Sequence, residues 1–176
     1  MRRIEEATYK DISSESQALW QAQMAAHGQM TNMKRTLAHS APAFHALMEW
    51  YPLRDAVREF LGDRTTTLFA HAVSSATGCL ICSTFFRRTL IEAGENPDEL
   101  SLSHREDLVV RYGLALSQNH GHGVDDALFQ ALATDLRPDQ IVLLTSFGGL
   151  MLATNLINNA LRVDLDEYLL KFRKSP

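Results

Sequence analysis

The two cysteines of the chain, Cys79 and Cys82, are the residues whose type and spacing most directly suggest chemistry. Two cysteines scattered at random along a chain of 176 residues would lie three apart roughly 1% of the time. On a helix, residues at positions i and i+3 share a face, close enough for a disulfide to form with little backbone movement. One thiolate of such a pair attacks an oxidant or a disulfide, and the second thiol resolves the intermediate.

The residues around the pair predict that it lies at the start of a helix. Gly78 is predicted to close one helix, and the next begins at about Cys79. Unpaired backbone N–H groups and the helix dipole favour an anion there, which stabilises a thiolate. Arg87 and Arg88 add positive charge along the same segment.

Three other interpretations of the cysteine pair compete with redox chemistry. Both thiols could be buried residues that pack like small hydrophobic side chains. They could form half of a zinc site, but the ligand-rich stretch that could complete it, His120-Gly121-His122, is far away in the sequence. A static disulfide does not suit a reducing cytosol. Redox chemistry is the preferred interpretation.

Helical signals dominate the whole chain, and no alternating stretch is long enough for a strand. Ser14 with Gln17 and Ser103 with Glu106 fit capping boxes, and Pro52 is predicted to end or kink a helix. The predicted helices begin near Ser14, Pro42, Asp63, Cys79, Ser103, Val124 and Pro138, and the last one ends near Arg162. We therefore predict one all-α domain over residues 1–176, with no sheet.

Composition and charge restrict the function classes. Hydrophobic residues make up 45% of the chain and charged residues 22%, as in ordinary globular proteins. The net charge of −4 argues against a nucleic-acid binder with a basic face. No apolar stretch follows Arg2 and Arg3, and polar residues interrupt the most apolar segment, Ile141 to Ile157. We therefore expect a cytoplasmic protein that does not bind membranes.

Several segments share a pattern with one protein family. Residues 61–68 (LGDRTTTL) and 72–82 (AVSSATGCLIC) carry the closest match. Weaker matches lie at residues 28–32, 37–42, 90–94 and 155–161. Together these segments resemble the AhpD-like alkylhydroperoxidase and carboxymuconolactone decarboxylase superfamily, over a core from about residue 28 to 166. The CxxC motif in its helical context is the specific part of the resemblance.

The resemblance implies a fold, an assembly and a chemistry. It implies an all-helical AhpD-like domain that forms homo-oligomers and uses its CxxC pair to reduce hydroperoxides or exchange disulfides. Cys82 would attack and Cys79 would resolve, with a separate thiol as the reductant and with no cofactor or metal. The decarboxylase branch typically lacks a CxxC pair, which favours the redox branch.

Two positions depart from the family pattern. The family's proton relay has a Glu twelve residues before the first cysteine and a His four residues after the second, where this chain has Thr67 and Phe86. Threonine is far too weak an acid, and phenylalanine has no ionisable group. An alternative therefore stays open, in which the chain is a catalytically inactive, oligomeric binding or assembly protein.

One histidine is a tentative substitute for the relay. His71 follows Thr67 by one helical turn, so its imidazole could act as a base in the region of the missing Glu. The competing interpretation is a packed or surface histidine. The other histidines considered are weaker candidates for a relay base, namely His39, His45, His120 and His122. Asn155 and Asn158 are expected to cap or bridge helices inside the core.

Overall fold

The computed structural model describes residues 2–118 and 121–174, which form eight α-helices and no strand. The helices are α1 Ser14–His27, α2 Asn32–Leu37, α3 Ala41–Met48, α4 Trp50–Ala76, α5 Leu80–Glu92, α6 His104–Ser117, α7 Asp126–Asp135 and α8 Pro138–Leu161. A 3₁₀ helix, Glu167–Phe172, follows α8. The all-α prediction is confirmed for these residues.

Helix α4 is the centre of the core, and it packs on α5, α6 and α8. Phe69 and Val73 of α4 are fully buried, and the Phe69 ring stacks on Phe147 of α8 with centroids 5.8 Å apart. Burying such large apolar side chains supplies the main force that holds the helices together. The start of α5, which carries the cysteines, is therefore fixed against a rigid centre.

Helix α4 is broken at Gly62, where φ is 77° and ψ is 168°. A residue with a Cβ would be strained in this conformation, so glycine suits the break. The predicted N-cap, Asp63, is wrong, because Gly62 holds the non-helical position and the Asp63 carboxylate instead pairs with Arg58. Pro52 does not end a helix either. It lies in the first turn of α4, where its missing N–H costs nothing.

The other predicted helix starts are mostly right, with shifts of one or two residues. The N-cap of α1 is Ser13, whose side chain accepts from the backbone N–H of Ser16, and not Ser14. The capping box of Ser103 and Glu106 is present. Two short elements were not predicted, α2 and the 3₁₀ helix, because neither is long enough to show an apolar period.

Helix α8 is long and apolar enough to span a membrane by length and composition alone. In the structure it packs on α4, and its buried residues include Leu144, Phe147 and Met151. It also buries Asn155 and Asn158, whose amide nitrogens find partners in the protein. Part of α8 is therefore core, while Val142 and Leu156 on the same helix are exposed.

Candidate redox site

A tight turn between α4 and α5 presents the cysteine pair. Gly78 adopts φ 63°, which lets the chain reverse after α4. Cys79 is the N-cap residue of α5, and its backbone N–H donates to the carbonyl of Ser74 at 3.1 Å. Cys82 follows in the first turn of α5, and both thiols are free. The predicted position of the pair at a helix start is confirmed.

Three asparagines of α8 hold this turn. Asn155 Nδ2 donates to Thr77 Oγ1 at 2.8 Å, and Asn159 Nδ2 donates to the Thr77 carbonyl at 3.0 Å. Asn158 Nδ2 lies 3.4 Å from Cys82 Sγ and 3.7 Å from Cys79 Sγ, within hydrogen-bond distance of both sulfurs. The expectation that Asn155 and Asn158 bridge helices is confirmed, and Asn158 does so through the thiols themselves.

The two thiols differ in how well a negative charge is stabilised on them. A hydrogen bond from the Cys82 side chain, partly opposed by burial, lowers the pKa of Cys79 to about 7. The backbone N–H groups of Cys82 and Ile81 and the Asn158 amide contribute to the same lowering of the pKa. The same interaction with Cys79, together with burial, raises the pKa of the Cys82 thiol. The pair therefore loses its first proton near neutral pH, with the charge held mainly on Cys79.

The less acidic of the two thiols, Cys82, is the more accessible one. Cys79 is 0% exposed and Cys82 is 8% exposed. Cys82 also lines a cavity of about 120 Å³, whereas Cys79 does not. The walls of this cavity are mostly apolar and include Trp50, Phe86 and Met151. A small apolar molecule that entered would therefore meet Cys82 rather than Cys79.

The same cavity is lined by charged side chains that the sequence did not single out. Lys34 comes from α2, Arg54 from α4, and Asp166 precedes the 3₁₀ helix. Lys34 is 3% exposed and Asp166 is 7% exposed, so both are buried. The sequence offers little indication that Lys34 and Asp166 lie in one cavity, because lysines and aspartates are common and these two are 132 residues apart.

The two positions that depart from the family relay take no part in proton transfer. Thr67 donates its hydroxyl to the Asp63 carbonyl of its own helix at 2.8 Å. Phe86 is buried and packs on Trp50, with ring centroids 6.3 Å apart. Phe86 thus makes the site more apolar, as its side chain implied.

His71 faces charged groups away from the cavity lining. Burial, with the positive charge of Arg87 nearby, lowers the pKa of His71, and Asp98 opposes this shift. Within residues 2–118 and 121–174, no hydrogen bond joins His71 to either cysteine. Its relay role stays a prediction.

The remaining residues considered from the sequence lie elsewhere. Arg87 pairs with Asp98 and Arg88 with Glu92, so each guanidinium already has a carboxylate partner. His39, His45 and His122 are exposed. Asn119 and His120 lie outside the described residues. In the part of the chain that the structure describes, no three His, Cys, Asp or Glu side chains cluster as metal ligands.

Comparison with solved structures identifies the fold. A peroxidase-related, uncharacterized protein from Ralstonia eutropha JMP134, described as an alkylhydroperoxidase AhpD core, matches with a TM-score of 0.73 and 14% identity, over 96% of this chain and 94% of that one. A protein of unknown function from Agrobacterium tumefaciens, provisionally described as antioxidant defence protein AhpD, matches with a TM-score of 0.63 and 19% identity, over 72% and 92%. No protein-family model matches the chain, and no curated protein does.

These matches place the chain among proteins with the all-helical AhpD-like fold. The fold that the sequence resemblance implied is thereby confirmed. The two cysteines lie side by side at a helix start within this fold, next to an apolar cavity.

Proposed function

We propose that the protein is a thiol-dependent antioxidant that reduces hydroperoxides or exchanges disulfides through Cys79 and Cys82. The observation that carries the proposal is the pair of free thiols that share the Asn158 amide, with Cys79 at the helix N-terminus and Cys82 at the cavity. The names of the two structural neighbours, a peroxidase-related protein and an antioxidant defence protein, support the same chemistry.

In the proposed reaction, Cys79 supplies the base that the relay positions lack. Its thiolate accepts the proton of Cys82, whose sulfur attacks the terminal oxygen of the hydroperoxide. The O–O bond breaks, Cys82 becomes a sulfenic acid, and the departing alkoxide takes the proton from Cys79 to form an alcohol. The regenerated Cys79 thiolate then attacks the Cys82 sulfur and expels hydroxide, which solvent protonates to water.

The product is a disulfide between Cys79 and Cys82, formed at the expense of the peroxide. A separate thiol reductant returns two electrons by thiol–disulfide exchange and restores both thiols. In the disulfide-exchange variant of the proposal, Cys82 attacks a substrate disulfide instead, and Cys79 resolves the mixed disulfide. In both variants Cys82 attacks because it is the sulfur that lines the cavity.

The second candidate is a binding or assembly protein that has the fold without the chemistry. Phe86 favours it, because a large apolar side chain stands where the family has a histidine. Homo-oligomerisation is part of both candidates. It is supported by Phe129 and Val142, exposed apolar residues that line a groove between α6, α7 and α8. Light scattering would give the number of chains.

Hydroperoxide consumption in the presence of dithiothreitol separates the two candidates. We expect the wild type to consume an organic hydroperoxide well above the rate of dithiothreitol alone, and Cys82→Ser to fall to that background. Ser83→Ala is the matched control, since Ser83 is adjacent and its hydroxyl donates to the Leu80 carbonyl of its own helix at 3.3 Å. Equal rates for the wild type and Cys82→Ser would leave the binding protein as the better account. Oxidised glutathione in place of the peroxide tests disulfide exchange.

A further inference from the structure

Lys34 is a buried lysine whose ammonium has no acceptor among the described residues. Its side chain lines the cavity beside Cys82, and it is 3% exposed. Within residues 2–118 and 121–174, Nζ makes no hydrogen bond and no ion pair, and it lies over the face of the Tyr51 ring, 5.1 Å from the centroid. A buried ammonium normally pairs with an acceptor, because leaving water is costly for a charge.

Neither Arg54 nor Asp166, the other charged residues that line the cavity, serves as an acceptor for the Lys34 ammonium. Arg54 is a cation like Lys34, and its guanidinium is already bonded to Asp55 at 2.6 Å. Asp166 uses Oδ1 to accept from the backbone N–H of Asn32 at 2.9 Å, while its Oδ2 is buried without a partner. Asp166 lies near enough to favour the charged form of Lys34 but forms no ion pair with it. The lining therefore carries two cations and one carboxylate.

The rest of the lining determines what kind of anion would fit. The walls are apolar, with aromatic and methionine side chains that include Trp50, Phe85 and Met151. The volume of about 120 Å³ suits a group about the size of a benzene ring or a short alkyl chain. An inorganic anion would leave these walls without contacts, and a neutral apolar molecule would leave the Lys34 ammonium without an acceptor.

We propose that the cavity beside Cys82 binds a small apolar carboxylate, whose apolar body fills the aromatic pocket and whose carboxylate accepts hydrogen bonds from Lys34. The three donors of the ammonium match the acceptor-only character of a carboxylate. Binding does not depend on turnover, so this inference stands or falls separately from the antioxidant chemistry. In a turnover cycle the same contact would make the protein selective for substrates that carry a carboxylate.

Titration calorimetry with benzoate and its neutral counterpart benzamide tests the proposal on the reduced wild-type protein. The two probes have the same shape, so the apolar walls contact both alike, and only benzoate gains a charged hydrogen bond. We expect benzoate to bind about 10-fold more tightly or better. Equal affinities, or no binding of benzoate, would overturn the proposal. Because no peroxide is present, neither result depends on the proposed reaction.

Variants of Lys34 and Asp166 sharpen the test. Lys34→Met keeps the length of the side chain and the backbone cap at Thr31, and we expect it to remove the preference for benzoate over benzamide. Lys10→Met, the same change at an exposed lysine, should leave the preference unchanged. A benzoate preference that survives Lys34→Met would contradict the proposal.

Asp166→Asn provides a second variant if Lys34→Met fails to fold. The new amide oxygen can still accept from Asn32, but a negative charge near the bound carboxylate is gone. Asp166 also favours the charged form of Lys34, so the comparison is made well below the Lys34 pKa of about 8, where the ammonium is charged. There we expect benzoate to bind about 3-fold more tightly to this variant, with benzamide unchanged. An unchanged or weaker affinity for benzoate would count against an anion beside Lys34.

Discussion

Two buried polar clusters border the cavity, and they differ in whether the group that carries the charge already has a hydrogen-bond partner. In the first, Asn158 Nδ2 lies within hydrogen-bond distance of both sulfurs, so a thiolate forms near neutral pH without a ligand, although Asn158 Oδ1 is buried without a partner among the described residues. In the second, Lys34 and Asp166 lie near each other but form no ion pair, and within residues 2–118 and 121–174 the ammonium has no acceptor and Asp166 Oδ2 is buried without a partner. A cluster whose thiols already have a donor is suited to chemistry, whereas a cluster whose cation lacks an acceptor is suited to binding.

Cys79→Ser is expected to have the largest effect, because it removes both the base and the resolving thiol of the first cluster. Steady-state peroxide consumption should fall more than about 100-fold. Burial still raises the pKa of the Cys82 thiol in this variant, and a serine hydroxyl cannot serve as the base near neutral pH. Mass spectrometry of the variant after one equivalent of peroxide should detect Cys82 sulfenic acid. Turnover like that of the wild type would refute the proposed role of Cys79.

Lys34→Met is expected to stabilise the free protein at neutral pH, since it removes the unsatisfied charge of the second cluster. Burial lowers the pKa of Lys34 to about 8, below the ordinary value of about 10.4 in an unfolded chain. Between these pH values the unfolded state binds more protons than the folded state, so the free energy of unfolding of the wild type rises with pH.

In Lys34→Met the free energy of unfolding lacks this pH dependence, and no charge has to be buried on folding. We expect it to be more stable than the wild type by about 1–2 kcal/mol at pH 7, with the difference shrinking toward pH 10. Urea unfolding at both pH values measures this, with Lys10→Met as the exposed control. A destabilised variant at pH 7, or a difference that does not change with pH, would indicate that Lys34 is satisfied without a ligand.

Asn158→Leu probes how strongly the first cluster depends on its amide. The substitution keeps the approximate volume but removes the donor to both sulfurs, so the pKa of Cys79 should rise. The ultraviolet absorbance of the thiolate should report a first ionisation of the pair about one pH unit above that of the wild type. Asn159→Leu is the matched control, since Asn159 contacts the Thr77 carbonyl and not the thiols. Identical pH profiles for the two variants would exclude Asn158 from thiolate stabilisation.

His71→Ala should have the smallest effect of the four, because His71 belongs to neither cluster. Its charged surroundings are Arg87, Asp98 and Lys174, and it does not line the cavity. We expect peroxide turnover and the pKa of Cys79 to stay within about 2-fold and a few tenths of a unit of the wild type. A fall in peroxide turnover of about 10-fold or more would instead establish His71 as the relay base.

The first cluster was largely predictable because its signal is local. A three-residue spacing after a glycine predicts two thiols on one helical face near a dipole, and Gly78, Cys79 and Cys82 adopt that arrangement. The break in α4 was misplaced onto Asp63 because its side chain suits an N-cap, while the conformation of Gly62 decides the break. Asn158 was expected to bridge helices, but no local pattern points an amide at a particular sulfur.

The sequence by itself determined the all-helical fold, the helix start beneath the cysteines and the absence of an ionisable acid or base at Thr67 and Phe86. These depend on periodicity, capping and side-chain chemistry, which act over a few residues. Only the tertiary structure decided that Cys82 rather than Cys79 reaches the cavity, and that Lys34 and Asp166 meet there. Burial and long-range proximity arise when α2, α8 and the 3₁₀ helix pack together, and the spacing of residues along the chain does not predict which distant residues this packing brings close.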